Sequence, residues 1–168
     1  MNSFYAQPYD ISANGFYFET EEEFRTKSAA LRNDYGDPVE EFEIQFIDGE
    51  MIDAEVCKAI GINQANIFTV IEKLDEWDED DKRTIIIAVG EGGYSFDLNA
   101  SDPSIFDIEI YKLDSMRELA EQFVDEGLFG EIPDRLAYYL DYDAIARDLA
   151  IDYCETTIDG QNLIYRMD

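Results

Sequence analysis

The sequence has no histidine, only two cysteines and four prolines, and 12 basic residues against 40 acidic ones. Each shortage removes a class of chemistry. Without histidine there is no Ser-His-Asp or Cys-His arrangement and no imidazole metal site. Cys57 and Cys154 lie far apart with no CxxC spacing. They are expected to be small core residues that stay reduced. No run of about 18 apolar residues exists, so no helix is expected to span a membrane. The opening MNSFYAQPYD has neither a basic n-region nor an apolar h-region, which makes the cytoplasm the expected location.

What the sequence does have is apolar mass and negative charge together. Hydrophobic residues make up 46% and aromatics 14% of 168 residues, enough to build a core rather than a disordered chain. The net charge is −28. Such a balance repels DNA, RNA and anionic lipid, and attracts basic surfaces. The charge is spread along the chain. Residues 1–53 hold 13 acids and 3 bases, residues 54–104 hold 11 and 4, and residues 105–168 hold 16 and 5. An acidic tail would load one segment only.

The patterning predicts an α+β chain in three parts: an N-terminal α+β domain over 1–53, a helical middle domain over 54–104 and a C-terminal α+β domain over 105–168. In the first, Ser3–Ile11 and Gly15–Glu19 flank an Asn14-Gly15 turn, with Pro8 suggesting an edge strand. Thr20 to Glu23 has capping-box spacing. Phe24, Ser28, Leu31 and Tyr35 follow at helical intervals. Phe42, Ile44 and Phe46 alternate with acidic or polar residues, which predicts a half-buried strand. In the second part, Asp53 is expected to cap a helix that Gly61 ends. Helices are predicted around Ile67–Leu74 and from Asp81 to Val89, the last stopped by Gly90-Glu91-Gly92-Gly93. In the third, Asp107 and Glu109 form the acidic face of a strand carrying Phe106, Ile108 and Ile110. Ser115 to Glu118 is another capping box, and Asp159-Gly160 marks a second hairpin.

Local motifs point to no catalytic centre. Gly90–Gly93 lacks the Gly-Lys-Ser/Thr of a phosphate loop. Asp75–Asp81 lacks the glycine and the glutamate spacing of a calcium loop. Nothing calls for a cofactor, and the chain is not expected to be an enzyme. Trp77 is expected in the core.

The segment EIPDRLAYYLDYDAIARDLAIDY, residues 131–153, has the densest pattern. On one continuous helix Tyr138, Tyr142, Ile145 and Leu149 make one stripe, and Asp141, Asp148 and Asp152 another. Those carboxylates would stand roughly 10 Å and 6 Å apart along the axis. Asp141 can also act as an N-cap that splits the segment in two. A plain solvated amphipathic helix is the alternative to a functional row. Duplex DNA carries one charge per roughly 1.7 Å, so 28 charges at that density cover about 48 Å of duplex. A rigid polyanion could therefore occupy a groove built for DNA.

The run Glu118–Tyr153 resembles the C-terminal signature of the ArdA family of antirestriction proteins. The resemblance is carried by LFGEIP (128–133), YLDYDAIARDL (139–149) and the hairpin around Asp159-Gly160. NGFYFE (14–19) and EEFEIQFID (40–48) are similar to the family's first domain. The resemblance implies an elongated, curved, dimeric mimic of bent B-form DNA, carried on mobile genetic elements. Its implied partner is the methyltransferase core of type I restriction-modification enzymes. It carries over Glu131, Asp134, Asp141, Asp143 and Asp148, with Tyr138, Tyr139 and Tyr142 as packing or dimer residues. Asp152, Asp107 and Glu109 join the partner-binding set on their own patterning. The alternative function is an acidic adaptor or chaperone for a basic DNA-binding protein. A metal-dependent hydrolase using clustered carboxylates is the third.

Overall fold

The computed structural model describes all of residues 1–168 and divides into two compact units, Met1–Ile105 and Phe106–Asp168. The second boundary expected from sequence, between 104 and 105, falls one residue away. Residues 53 and 54, on either side of the first, both lie within one helix, Met51–Ile60.

In the first unit, strands β1 (Ser3–Pro8), β2 (Phe16–Phe18) and β3 (Phe42–Asp48) form an antiparallel sheet in the order β2-β1-β3. Period-two alternation puts Phe4, Ala6, Phe42 and Ile44 on its buried face. Helix α1 (Glu21–Ala30) lays Phe24 against that face. The Phe24 ring centre lies 5.5 Å from Phe16, 5.1 Å from Phe18 and 5.6 Å from Phe42. These tilted and edge-on contacts suit the ring quadrupole and add to the area buried. Thr20 Oγ1 accepts from the Glu23 amide at 3.2 Å, and Glu23 reaches back to the Glu19 amide at 3.2 Å. The helix ends at Ala30, so Tyr35 lies beyond it and is exposed. Pro8 sits on the central strand, not an edge strand. It is tolerated because β2 pairs only as far as Ala6, which leaves Pro8 a single neighbour, Phe42 of β3.

The same unit continues with α2 (Met51–Ile60), α3 (Ile67–Glu76) and α4 (Glu79–Ile85), with no strand between them. Their core comprises Ile52, Val56, Ile67, Val70, Leu74, Trp77, Ile85 and Ile87. Asp78 caps α4 in a reciprocal box with Asp81. The chain then winds on through a π-helical turn, Ile86–Glu91, and stops at Gly92. The glycine run is a helix stop, as expected, and Gly90 does more. A Cβ there would stand 3.0 Å from the Ala59 Cβ, so the absent side chain lets the turn approach α2. Asp53 is not an N-cap. It lies inside α2, 5% exposed, and faces Lys82 of α4.

In the second unit, β4 (Ile108–Tyr111), β5 (Cys154–Ile158) and β6 (Gln161–Met167) form an antiparallel sheet in the order β4-β6-β5. Asp159 and Gly160 both take positive φ, 52° and 72°, as a two-residue type I′ hairpin requires. Helices α5 (Met116–Asp125), α6 (Asp134–Ala137) and α7 (Tyr142–Leu149) complete the unit. Met116, Leu119, Phe123, Tyr153 and Ile164 form its core, with Tyr111, Leu113, Ala146 and Leu149 packed against them. Cys57 is buried as expected. Cys154 is exposed, because it opens an edge strand.

Candidate functional site

The acids are distributed by depth in a simple way. Of the 40, Asp53 alone is buried. Some of the rest serve the fold locally. Glu21, Glu22 and Glu23 occupy the first turn of α1, and Glu79, Asp80 and Asp81 that of α4. There they oppose the positive end of the helix dipole. Several bases are committed to neighbouring acids, including Arg25 to Glu21, Lys73 to Glu76 and Arg83 to Glu79 and Asp80. Most of the acidic excess therefore faces water with no compensating cation beside it.

The candidate residues all fall in the second unit, where 16 acids meet 5 bases. Glu131 lies in the exposed loop before α6, and Asp134 in the exposed first turn of that helix. The chain then breaks at Tyr138–Leu140 instead of running on as one helix. The break follows from Asp141, whose Oδ1 accepts from the Ala144 amide at 3.0 Å and starts α7 anew. Of the two readings of this segment, the split one is the structure. Asp141 is therefore spent on its own helix. Ala146 and Leu149 form the inner side of α7, with Tyr142 and Ile145 half-buried. Asp143 and Asp148 are exposed, and Asp152 follows the helix in an exposed turn.

The tyrosines divide. Tyr142 is half-buried, but Tyr138 and Tyr139 are 93% and 83% exposed and pack against nothing in this unit. The packing expected of them falls to Tyr153, buried against Phe123 and Tyr111 at ring distances of 5.8 Å and 6.2 Å. Leu128, Phe129, Leu136 and Ile151 are exposed as well.

Asp107 precedes β4 and Glu109 stands on it, both exposed. Glu109 is held by two hydroxyls, Tyr111 donating at 3.3 Å and Tyr153 at 3.4 Å. Burial, with the Glu109 charge behind it, pushes the Tyr111 hydroxyl up to about 12, so it remains a donor at physiological pH.

Sequence reasoning missed Arg117. It donates to Asp143 Oδ1 at 2.7 Å and to Glu121 Oε1 at 3.1 Å, and its guanidinium lies 5.7 Å from the Tyr142 ring centre. The hydrogen bond to Asp143 holds the guanidinium above its ordinary range. The spacing of Arg117 to Glu121 was visible as an i, i+4 pair. The link to Asp143 joins α5 to α7 and has no local signature. No group of three or more carboxylates or cysteines is arranged to hold a metal ion, and no helix is long and apolar enough to cross a membrane.

The fold and charge together define a class: small, strongly acidic α+β proteins whose carboxylates stand mostly outward on short elements. Within that class, residues 13–162 match the family model described as antirestriction protein (ArdA), and the chain belongs to this family. Antirestriction activity, and with it interaction with restriction enzymes, is what membership implies. A comparison with curated proteins found no match.

Proposed function

We propose that this protein is a non-catalytic DNA mimic that blocks type I restriction-modification enzymes by occupying the DNA groove of their methyltransferase core. The observation that carries this reading is that 32 of the 40 acids are exposed on a folded scaffold, seven are half-buried and only Asp53 is buried. Affinity of a groove for DNA comes largely from phosphate charge and is sequence-independent in that part. Carboxylates fixed on α6, α7 and β4 can draw on the same attraction. Fixing them also avoids the ordering cost that a flexible acidic tail would incur on docking.

The protein acts in the cytoplasm as a homodimer. The apolar residues Leu128, Phe129, Leu136, Tyr138 and Tyr139 support that second element, since they lie in one stretch of chain and each is at least half exposed. The acids Glu131, Asp134, Asp143, Asp148, Asp152, Asp107 and Glu109 serve as phosphate substitutes. Asp141 contributes mainly by holding α7 in place.

The test is protection of unmodified DNA from cleavage by a purified type I enzyme. Single exposed charges contribute at most about 1 kcal/mol. Asp148→Asn alone should therefore change the inhibitory concentration only slightly. Asp141→Asn, Asp143→Asn and Asp148→Asn together should weaken protection progressively. Asparagine keeps the cap at 141, so the triple variant retains α7. Loss of all protection from one such substitution, with the fold intact, would contradict a distributed mechanism.

A further inference from the structure

Arg117 occupies a site on the second unit that suits a cation. Its Nη1 donates to Asp143 on α7, its Nε donates to Glu121 on α5, and its guanidinium faces the Tyr142 ring. Two carboxylates and an aromatic face are the surroundings that suit a guanidinium group. Both ends of the contact are open to water, with side chains 51% and 65% exposed. An exposed pair of this kind is weak, so a competing cation can displace it. Asp148, five residues further along α7, carries no ion pair and is available at once.

We infer that Arg117 is a specificity-determining residue. It is a built-in competitor that withholds Asp143 and Glu121 from weakly basic surfaces and yields them only to a dense cationic cleft. The inference rests on the DNA-mimic reading for the identity of that cleft. Selectivity then arises in part from a repulsive element: a partner must supply enough positive charge to displace Arg117 before it gains these two carboxylates.

The experiment compares the full chain with its Arg117→Gln and Arg117→Lys variants at low salt. Each is titrated against a type I methyltransferase core and against a decalysine peptide as a generic cation. Arg117→Gln should bind the core about two- to five-fold tighter. It should gain more for the peptide, so that the preference for the core falls. Arg117→Lys, which keeps the charge but loses the planar fork, should fall between wild type and Arg117→Gln. The gain should vanish at high salt, where the Debye length shrinks to a few ångströms. Asp143→Asn should weaken binding more in the Arg117→Gln background than in wild type, which a merely structural Arg117 would not produce.

Unchanged or weaker binding of both ligands by a folded Arg117→Gln overturns the inference. Should that variant lose its helical circular dichroism, Arg117→Met takes its place in the same comparison. Failure of the wild-type chain to bind the core overturns the target assignment instead. The peptide titration then decides on Arg117 by itself.

Discussion

Replacing Asp53 by alanine tests how the first unit holds its only buried acid. Lys82 Nζ lies 2.7 Å from Asp53 Oδ1, with side chains 13% and 7% exposed. The approach is off the line of a hydrogen bond, so the contact is chiefly ionic. Asn2 Nδ2 donates to Oδ2 at 2.7 Å. Removing the carboxylate leaves Lys82 as an uncompensated charge in a protein interior and leaves Asn2 without its acceptor. Breaking a buried pair in this way costs about 3–5 kcal/mol. Both side chains border a cavity of about 750 Å³, through which water can reach the ammonium. That access places the expected loss near the lower end, about 3 kcal/mol. Against a typical domain stability of about 5–15 kcal/mol, this is a large fraction.

The assay is urea unfolding followed by fluorescence. Trp77 is the only tryptophan and is buried in this unit, so the signal reports on it alone. The double variant Asp53→Ala with Lys82→Met removes both charges. It should cost much less than the sum of its single changes, because neither partner is left behind. A loss below about 1 kcal/mol for Asp53→Ala, with additive behaviour in the double variant, would refute the assignment of a buried ionic contact.

Thiol labelling should distinguish the cysteines: in the native protein at mildly alkaline pH, Cys154 reacts with a disulfide reagent. Cys57 does not, because burial, followed by the nearby Asp53 charge, pushes its thiol up to about 12. Both should react in urea. Ile164→Ala removes a fully buried side chain from the central strand of the second sheet and should cost about 2–5 kcal/mol, read by circular dichroism across a denaturant series. Gly160→Val places a β-branched residue at φ 72° in the terminal hairpin and should lower the melting temperature, with a cost on the order of 1 kcal/mol or more.

The elements that proved legible in the sequence are those with local physical signatures. Alternation at Phe42–Phe46 marked β3, Asp159-Gly160 marked the terminal hairpin, and Thr20 and Ser115 marked helix starts. What proved illegible depends on partners distant in sequence. Asp53 has the residue type of a cap, and only the packing of α2 against α4 turns it inward to Lys82. The stripe of Tyr138, Tyr142, Ile145 and Leu149 assumed an unbroken helix. The Asp141 cap offered a competing local bond, and that bond is the one formed. Cys154 was expected inside on residue type, yet strand order, which sequence does not display, puts it on an edge. Among the candidate acids, exposure was legible from charge. That Asp141 is spent on a cap and Asp143 on Arg117 was not.

The most direct measurement is the affinity of this protein for a type I methyltransferase core across a salt series, with and without competing duplex. Mimicry predicts that affinity falls steeply as salt rises and that duplex and protein exclude one another from the core. A salt-independent affinity, or a ternary complex in which core, duplex and protein are bound together, would contradict it.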